Sequence, residues 1–321
     1  YYQDGKVLID EITPKEKLGE FMNNETKLIS MSMNKSVTSY ILGHAICDGY
    51  IDSVDSKLDD WPILETSLYE NQKLIDLLNM AAGDQKYIFE FGEGGQIVVD
   101  DSYNYETKNI FTTLGFYLQN TEKSESRYNY NGFITQLLIN YVRFKTGDDF
   151  KKLLNKIFQN KIKNEHAVHF YELRDPSEEL GISHPMIRTT RYDWLRLAKA
   201  IMDDYQNDTC VGKYLKKIYE KRIPKNLLGL PTKGGKKYTE PEFNRTKSYG
   251  GQFHFDYPGL EDKVIFGLGG RGGQAILIDV ENSRIVAINS MHYNDGRNKY
   301  NVKKLLIDPI KNGRKINWKL N

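Results

Sequence analysis

The feature that most constrains the fold is a change of hydrophobic period along the chain, because a sheet face needs apolar residues at every second position and a helix at every third or fourth. The chain opens with Tyr1-Tyr2-Gln3, a turn signal at Asp4-Gly5 and then Lys6-Val7-Leu8-Ile9, which reads as a β-hairpin. Helical spacing then dominates, over Met33 to Gly49, Lys73 to Ala82, Tyr103 to Leu118, Gly132 to Thr146, Phe150 to Ile162 and Arg191 to Asp204. After Pro231-Thr232-Lys233-Gly234-Gly235 the period changes again. Ser248 to Phe255, Lys263 to Leu268, Gln274 to Asp279 and Arg284 to Ser290 read as strands rich in Ile, Val and Phe, with Asp279 to Ser283 turning between the last two. Lys303 to Ile310 fits a closing helix limited by Pro309.

Strands at both ends and helices between them predict a mixed α/β fold: an antiparallel sheet flanked by helices, built from both termini, with an inserted mainly helical lobe. We expect one domain over residues 1–321, its sheet lobe drawn from about 1–60 and 232–321 and its helical lobe from about 61–231. A site belongs in the cleft between the lobes.

Composition narrows the partners. With 45 basic and 43 acidic side chains the formal net charge is +2, which favours neither nucleic acid nor an anionic membrane. No stretch approaches the roughly 18 to 20 uninterrupted apolar residues of a membrane-spanning helix. The chain begins with Tyr1 and runs straight into a strand, so the native N-terminus is expected upstream, and the lack of a signal peptide here does not point to the cytoplasm. Cys47 and Cys210 are too few for a disulfide framework and too far apart for a C-x-x-C motif, and are expected to be two buried thiols.

The strongest chemical signal is Ser32-Met33-Asn34-Lys35 at the start of the first long helical segment. A serine and a lysine three apart share a helix face, with Cβ atoms about 5 to 6 Å apart. The partial positive charge of a helix N-terminus suits the free amine there, which can then act as base for an otherwise weak nucleophile. Alone the motif is weak, because most S-x-x-K matches are solvated helix faces.

Taken in order, Asp4-Gly5, Ser30-Met31-Ser32-Met33-Asn34-Lys35-Ser36-Val37-Thr38-Ser39, Asp48-Gly49-Tyr50-Ile51-Asp52 and Asp76-Leu77-Leu78-Asn79-Met80-Ala81-Ala82-Gly83 resemble the β-lactamase-related serine hydrolases. The likeness is to the branch containing class C β-lactamases, D-alanyl-D-alanine carboxypeptidases, related esterases and 6-aminohexanoate-dimer hydrolases. It extends through most of the chain and weakens between about residues 150 and 240.

The resemblance implies an acyl-serine mechanism without metal or organic cofactor, Ser32 as nucleophile and Lys35 as base. It also implies a tyrosine between nucleophile and leaving group, usually within Y-x-N. Counting back from Thr135-Gln136-Leu137-Leu138 selects Tyr130, with Tyr128 as the preceding aromatic; Gly132 stands where the Asn is usual, so Tyr128 stays open as the alternative. A third motif, a strand beside the cleft, is matched by Gly269-Gly270-Arg271-Gly272-Gly273-Gln274. Glycines there let a substrate backbone lie against the strand. In the family's place for Lys or His stands Arg271, a cation that cannot exchange protons near neutral pH and would suit a substrate carboxylate or hold the tyrosine. The resemblance places the oxyanion hole at the backbone N–H groups of Ser32 and Gln274, and Gly272, Gly273 and Tyr249 (in Tyr249-Gly250-Gly251-Gln252-Phe253) along the pocket.

Competing patterns are weaker. Glu165-His166-x-x-His169-x-x-Glu172 has helical metal-ligand spacing but reads better as a solvated charged face. His44 shares a face with Tyr40 and Cys47 and reads as a packed core residue. The glycine run precedes a strand, not a helix, which excludes a nucleotide fingerprint. The expected function is cleavage of a small-molecule amide or ester. A D,D-peptidase or penicillin-binding protein, or a binding or sensing module that does not turn over, are the alternatives. By analogy the protein works in the periplasm or outside the cell.

Overall fold

Asp4 and Gly5 have φ of +48° and +84°, the two left-handed positions that a two-residue hairpin turn demands, and join β1 (Tyr2–Gln3) to β2 (Lys6–Val7). In the computed structural model, which describes residues 1–12, 22–88, 110–173, 182–227, 246–289 and 303–313, this hairpin does not stand alone. β1 pairs with β11 (Arg284–Ile288) from the opposite end of the chain. The sheet continues through β10 (Gln274–Asp279), β9 (Ile265–Gly270), β8 (Phe253–Phe255), β7 (Ser248–Gly250) and β6 (Ile223–Pro224), giving the order β2-β1-β11-β10-β9-β8-β7-β6 with antiparallel pairing throughout. An antiparallel sheet flanked by helices and built from both ends is therefore what the chain forms.

Period-two alternation sorts the strands' side chains between two cores. Phe266, Leu268, Ile276, Ile278 and Ile285 join the large core shared with the helices, while Ile265, Leu277 and Val286 join a smaller one closed by Leu306 and Ile310 of the C-terminal segment. That segment is helical over Lys303–Ile307 and α8 (Asp308–Asn312), as the spacing predicts.

At the centre lies α1 (Met33–Cys47), nearly all of it buried. A helix buried on every side must satisfy its polar groups internally. Ser36 Oγ donates to the Gln252 carbonyl (2.7 Å), Ser39 Oγ bonds Tyr214 OH (2.7 Å) and Tyr40 OH donates to Asp204 (2.6 Å). Gly43 makes room for the Tyr214 ring, which a Cβ would meet at 2.6 Å. Around α1 stand α2 (Leu74–Leu78), α3 (Ile110–Thr112), α4 (Phe133–Thr146), α5 (Phe150–Asn155), α6 (Arg191–Gln206) and α7 (Cys210–Glu220). Residues 103–109 of the expected third helix, and 231–235 and 290, lie outside the described residues.

Several expectations are corrected. The second helix stops at Leu78, short of Ala82, because Asn79 turns its side chain into tertiary bonds with Lys221 O (2.7 Å) and Gly251 N (2.9 Å), and Met80 takes φ +54°. Ser248 to Phe255 is a hairpin, not one strand: Gly251 and Gln252 have φ of +54° and +66° and reverse the chain. His169–Leu173 is a strand, β4, paired with β5 (Ile182–Thr189), so the helical spacing of Glu165 to Glu172 is not realised. β5 also pairs with β3 (Leu28–Ile29) to make a second, three-stranded sheet that periodicity did not indicate. Cys47 and Cys210 are not buried thiols; they form a disulfide, Cα–Cα 5.8 Å, joining the end of α1 to the start of α7.

Candidate active site

Ser32 sits at the junction of β3 and α1, and the sequence on either side explains its position. Ser30 is tied to β5 twice, donating from its N–H to Ile187 O (2.8 Å) and accepting Ile187 N–H on Oγ (3.1 Å). Met31 then takes φ +46°, a left-handed conformation that costs a non-glycine residue energy and turns the chain into the helix. Ser32 is the N-cap of α1 and is half-buried, and its side chain makes no capping bond. The partial positive charge at the N-terminus of α1 favours negative charge nearby.

One turn on, Lys35 is 7% exposed, and it forms no ion pair among the described residues. Its Nζ lies 4.8 Å from the centre of the Tyr130 ring. The residues on either side of Tyr130 anchor its backbone. Asn129 and Asn131, on either side, both turn inward to the buried carboxylate of Asp84, donating at 2.6 and 3.0 Å, and Tyr69 OH adds a third donor at 3.0 Å. Asn129 N–H also bonds Met80 O (2.7 Å), and Asn131 Oδ1 accepts Ile134 N–H (2.9 Å) at the start of α4. With alternate residues pinned inward, Tyr128 and Tyr130 share the opposite side. Burial raises the Asp84 pKa to about 6, against the lowering pull of these donors.

The structure thus brings Lys35 and Tyr130 together, whereas the Tyr128 ring lies 5.7 Å from a different lysine, Lys225. Gly270, at the end of β9, abuts the turn that leads into Ser32: a Cβ there would come within 2.7 Å of Ser30 O and 3.2 Å of Met31 Cβ. Arg271, Gly272 and Gly273 form the turn into β10, with φ of +80° and +88° at the two glycines, and Arg271 is exposed. Gln274 starts β10 opposite Gly270, and its side chain accepts from Asn289 Nδ2 (3.2 Å). Tyr249 is only 1% exposed, so it backs the wall, its ring 6.0 Å from Tyr130 and 5.2 Å from Tyr128.

Sequence reasoning missed four residues here: Asp84, Lys225, Thr246 and His254. His254 carried a readable signal, since it alternates with the buried Phe253 and Phe255 of β8; the other three had none. Elsewhere, His44 is packed as expected, edge-on to Tyr40 at 4.8 Å. A cavity of about 280 Å³, lined by Tyr1, Val7, Ile12, Leu195 and Ile288 among others, lies along the sheet's outer strands and includes none of Ser32, Lys35 and Tyr130. Among the described residues no cluster of His, Cys, Asp and Glu could hold a metal, and no helix is long and apolar enough to cross a membrane.

No family model and no curated protein matches the sequence. Solved structures do match the fold. EstCE1, a hydrolase with promiscuous acyltransferase activity, superposes with a TM-score of 0.58 at 11% identity, over 90% of this chain and 85% of its own. A class C β-lactamase from Rhodobacter sphaeroides gives 0.53 at 13% identity, over 86% and 83%. A candidate 6-aminohexanoate-dimer hydrolase from Bacillus anthracis gives 0.55 at 14% identity, over 84% and 68%. The chain therefore has the fold of the β-lactamase-related serine hydrolases.

Proposed function

We propose that the protein is a serine hydrolase that cleaves an amide or ester of a small molecule through an acyl-Ser32 intermediate. The observation that carries this reading is the placement of Lys35: buried, one turn from a serine at a helix N-terminus, with its amine over the Tyr130 ring.

In this mechanism Ser32 Oγ attacks the carbonyl carbon while Lys35, as the free amine, accepts the hydroxyl proton. Negative charge collects on the former carbonyl oxygen, which the N–H groups of Ser32 and Gln274 receive; one such donor is worth about 3 to 4 kcal/mol of barrier. The carbon–nitrogen or carbon–oxygen bond then breaks. Tyr130 passes a proton to the departing group and is reprotonated from Lys35. Water attacks the acyl-serine, its proton returns along the same path, and the acid is released. Tyr130 is favoured over Tyr128 for this relay by its contact with Lys35 and by its half-open position. Gly272 is half-open and Gly273 buried in the turn after β9, and Arg271 beside them is exposed, where it could meet a substrate's charged end.

Intact-protein mass spectrometry after exposure to a fluorophosphonate tests the nucleophile. Wild type should gain one adduct, Ser32→Ala none, and Lys35→Ala should label far more slowly. Folded wild type that resists the fluorophosphonate, a penicillin and an activated ester alike would sink the hydrolase reading. With a chromogenic ester, repeated turnover separates a hydrolase from a module that acylates once and stops; Ser32→Ala should lower that turnover at least about a thousandfold.

A further inference from the structure

Behind Tyr130 lies a second basic group that the mechanism above does not use. Lys225, just past β6, is 8% exposed, and its Nζ contacts Thr246 Oγ1 and lies 3.0 Å from His254 Nδ1. It also lies 5.7 and 6.0 Å from the ring centres of Tyr128 and Tyr249. His254 is the partner of Tyr249 across β7 and β8; it stacks along Tyr130 with centroids 6.4 Å apart and meets Tyr249 edge-on at 5.1 Å. No carboxylate among the described residues pairs with Lys225. Asp256, on the adjoining chain, is engaged by Arg222 and Ser248.

With protonated Lys225 as the donor to Nδ1, the contact selects one His254 tautomer. A lysine N–H directed at Nδ1 leaves the ring proton on Nε2. Burial, with Lys225 and Lys35 nearby, holds the His254 pKa well below its usual value, so the ring stays a neutral donor. Its Nε2 edge faces Gly269, where a Cβ would stand 3.6 Å away, and His254, Tyr130, Gly269 and Gly270 are all half-open. The donor therefore lies beside Gly269 and next to the Tyr130 ring that Lys35 approaches. Lys225 and an N–H donor converge there with no acid among the described residues to balance a charge on the lysine, and a buried cation needs a counter-charge.

We propose that Lys225 and His254 form an anion subsite of this cleft that receives a carboxylate carried by the substrate, an inference that rests on reading the cleft as the reaction site. Burial lowers the Lys225 pKa to about 7, so a bound carboxylate draws a proton onto it above that pH. Among the described residues, Thr246, Tyr128 and Tyr249 around Lys225, and Tyr130 and Lys35 beyond His254, are the titratable and polar groups facing the pair.

The test uses the full chain carrying Ser32→Ala, so that nothing is hydrolysed, and compares monomethyl glutarate with uncharged dimethyl glutarate by calorimetry and ligand-observed NMR. The monoanion should bind at least tenfold tighter than the diester at pH 6.5, with proton uptake at pH 8.5 revealed by buffers of different ionisation heat. Adding Lys225→Met or His254→Phe should abolish the preference, and Arg271→Ala should leave it intact. Equal affinities, no binding of the monoanion, or a preference that survives Lys225→Met or disappears with Arg271→Ala would each overturn the subsite. Should Lys225→Met not fold, proton uptake in the Lys225 protein decides, and its absence counts against the proposal. Fluorophosphonate labelling of wild-type Ser32 reports on the hydrolase reading separately: labelled protein that ignores charge loses only the subsite, and unlabelled protein that prefers the monoanion loses only the nucleophile.

Discussion

Two buried ionisable residues outside the proposed chemistry give the protein opposing responses to acid. His44 lies inside α1, and burial lowers its pKa from 6.5 to about 4. The unfolded chain then binds more protons between those values, so the stability His44 confers is complete above pH 6.5 and is lost as pH falls toward 4. Asp84 works the other way: its pKa is raised from 3.8 to about 6, so its contribution is full below 3.8 and is lost as pH rises through 6. His44→Gln should therefore reduce the stability lost between pH 7 and pH 4.5 by roughly 2 to 3 kcal/mol, read from urea midpoints at the two pH values. An unchanged acid response would mean His44 is solvated. Asp84→Ala should leave Asn129, Asn131 and Tyr69 without their shared acceptor, costing about 1 to 3 kcal/mol and, by loosening Tyr130, lowering ester turnover more than fluorophosphonate labelling.

Among the elements, the β7–β8 hairpin holds the sheet to the helices. Its turn residue Gln252 accepts from Ser36 of α1 on its carbonyl, donates from its N–H to Leu78 O at the end of α2 (2.9 Å), and accepts Thr135 Oγ1 of α4 on Oε1 (2.8 Å). Gly250 lets α7 pack closely, since a Cβ would lie 2.7 Å from both Ile218 O and Arg222 Cβ. Backbone oxygen cannot swing aside as a side chain can. Gly250→Ala should destabilise by about 1 to 3 kcal/mol in chemical denaturation. A neutral result would show that α7 can slide away from the sheet. The helix α7 itself is readable, with Thr209 accepting Gly212 N–H as a cap and Val211, Tyr214, Leu215 and Ile218 buried at helical spacing, although it is not among the segments picked out above.

Across the whole molecule, the Cys47–Cys210 disulfide closes a 163-residue separation and ties α1 to α7. Such bonds persist where thiols are oxidised. The denatured, unreduced protein should show no free thiol by Ellman titration, and Cys47→Ser with Cys210→Ser should lower stability by about 2 to 4 kcal/mol. Two thiols per chain in that titration would remove the cross-link.

By itself the sequence indicated the antiparallel sheet built from both chain ends, the helices between, and the Ser32–Lys35 spacing. Period two at both ends and helical spacing between them specify a sheet of mixed chain origin, because only that arrangement buries both kinds of apolar face, and Ser32 and Lys35 are three residues apart on one helix whatever surrounds them. Tertiary structure alone decided the rest of the cleft. Lys225 and His254 meet because β6 and β8 flank β7, Asp84 reaches Asn129 and Asn131 across more than forty residues, and Cys47 finds Cys210 only when α1 and α7 pack. Local patterning reports which face of an element is apolar; it carries no record of which polar side chains burial will force into contact.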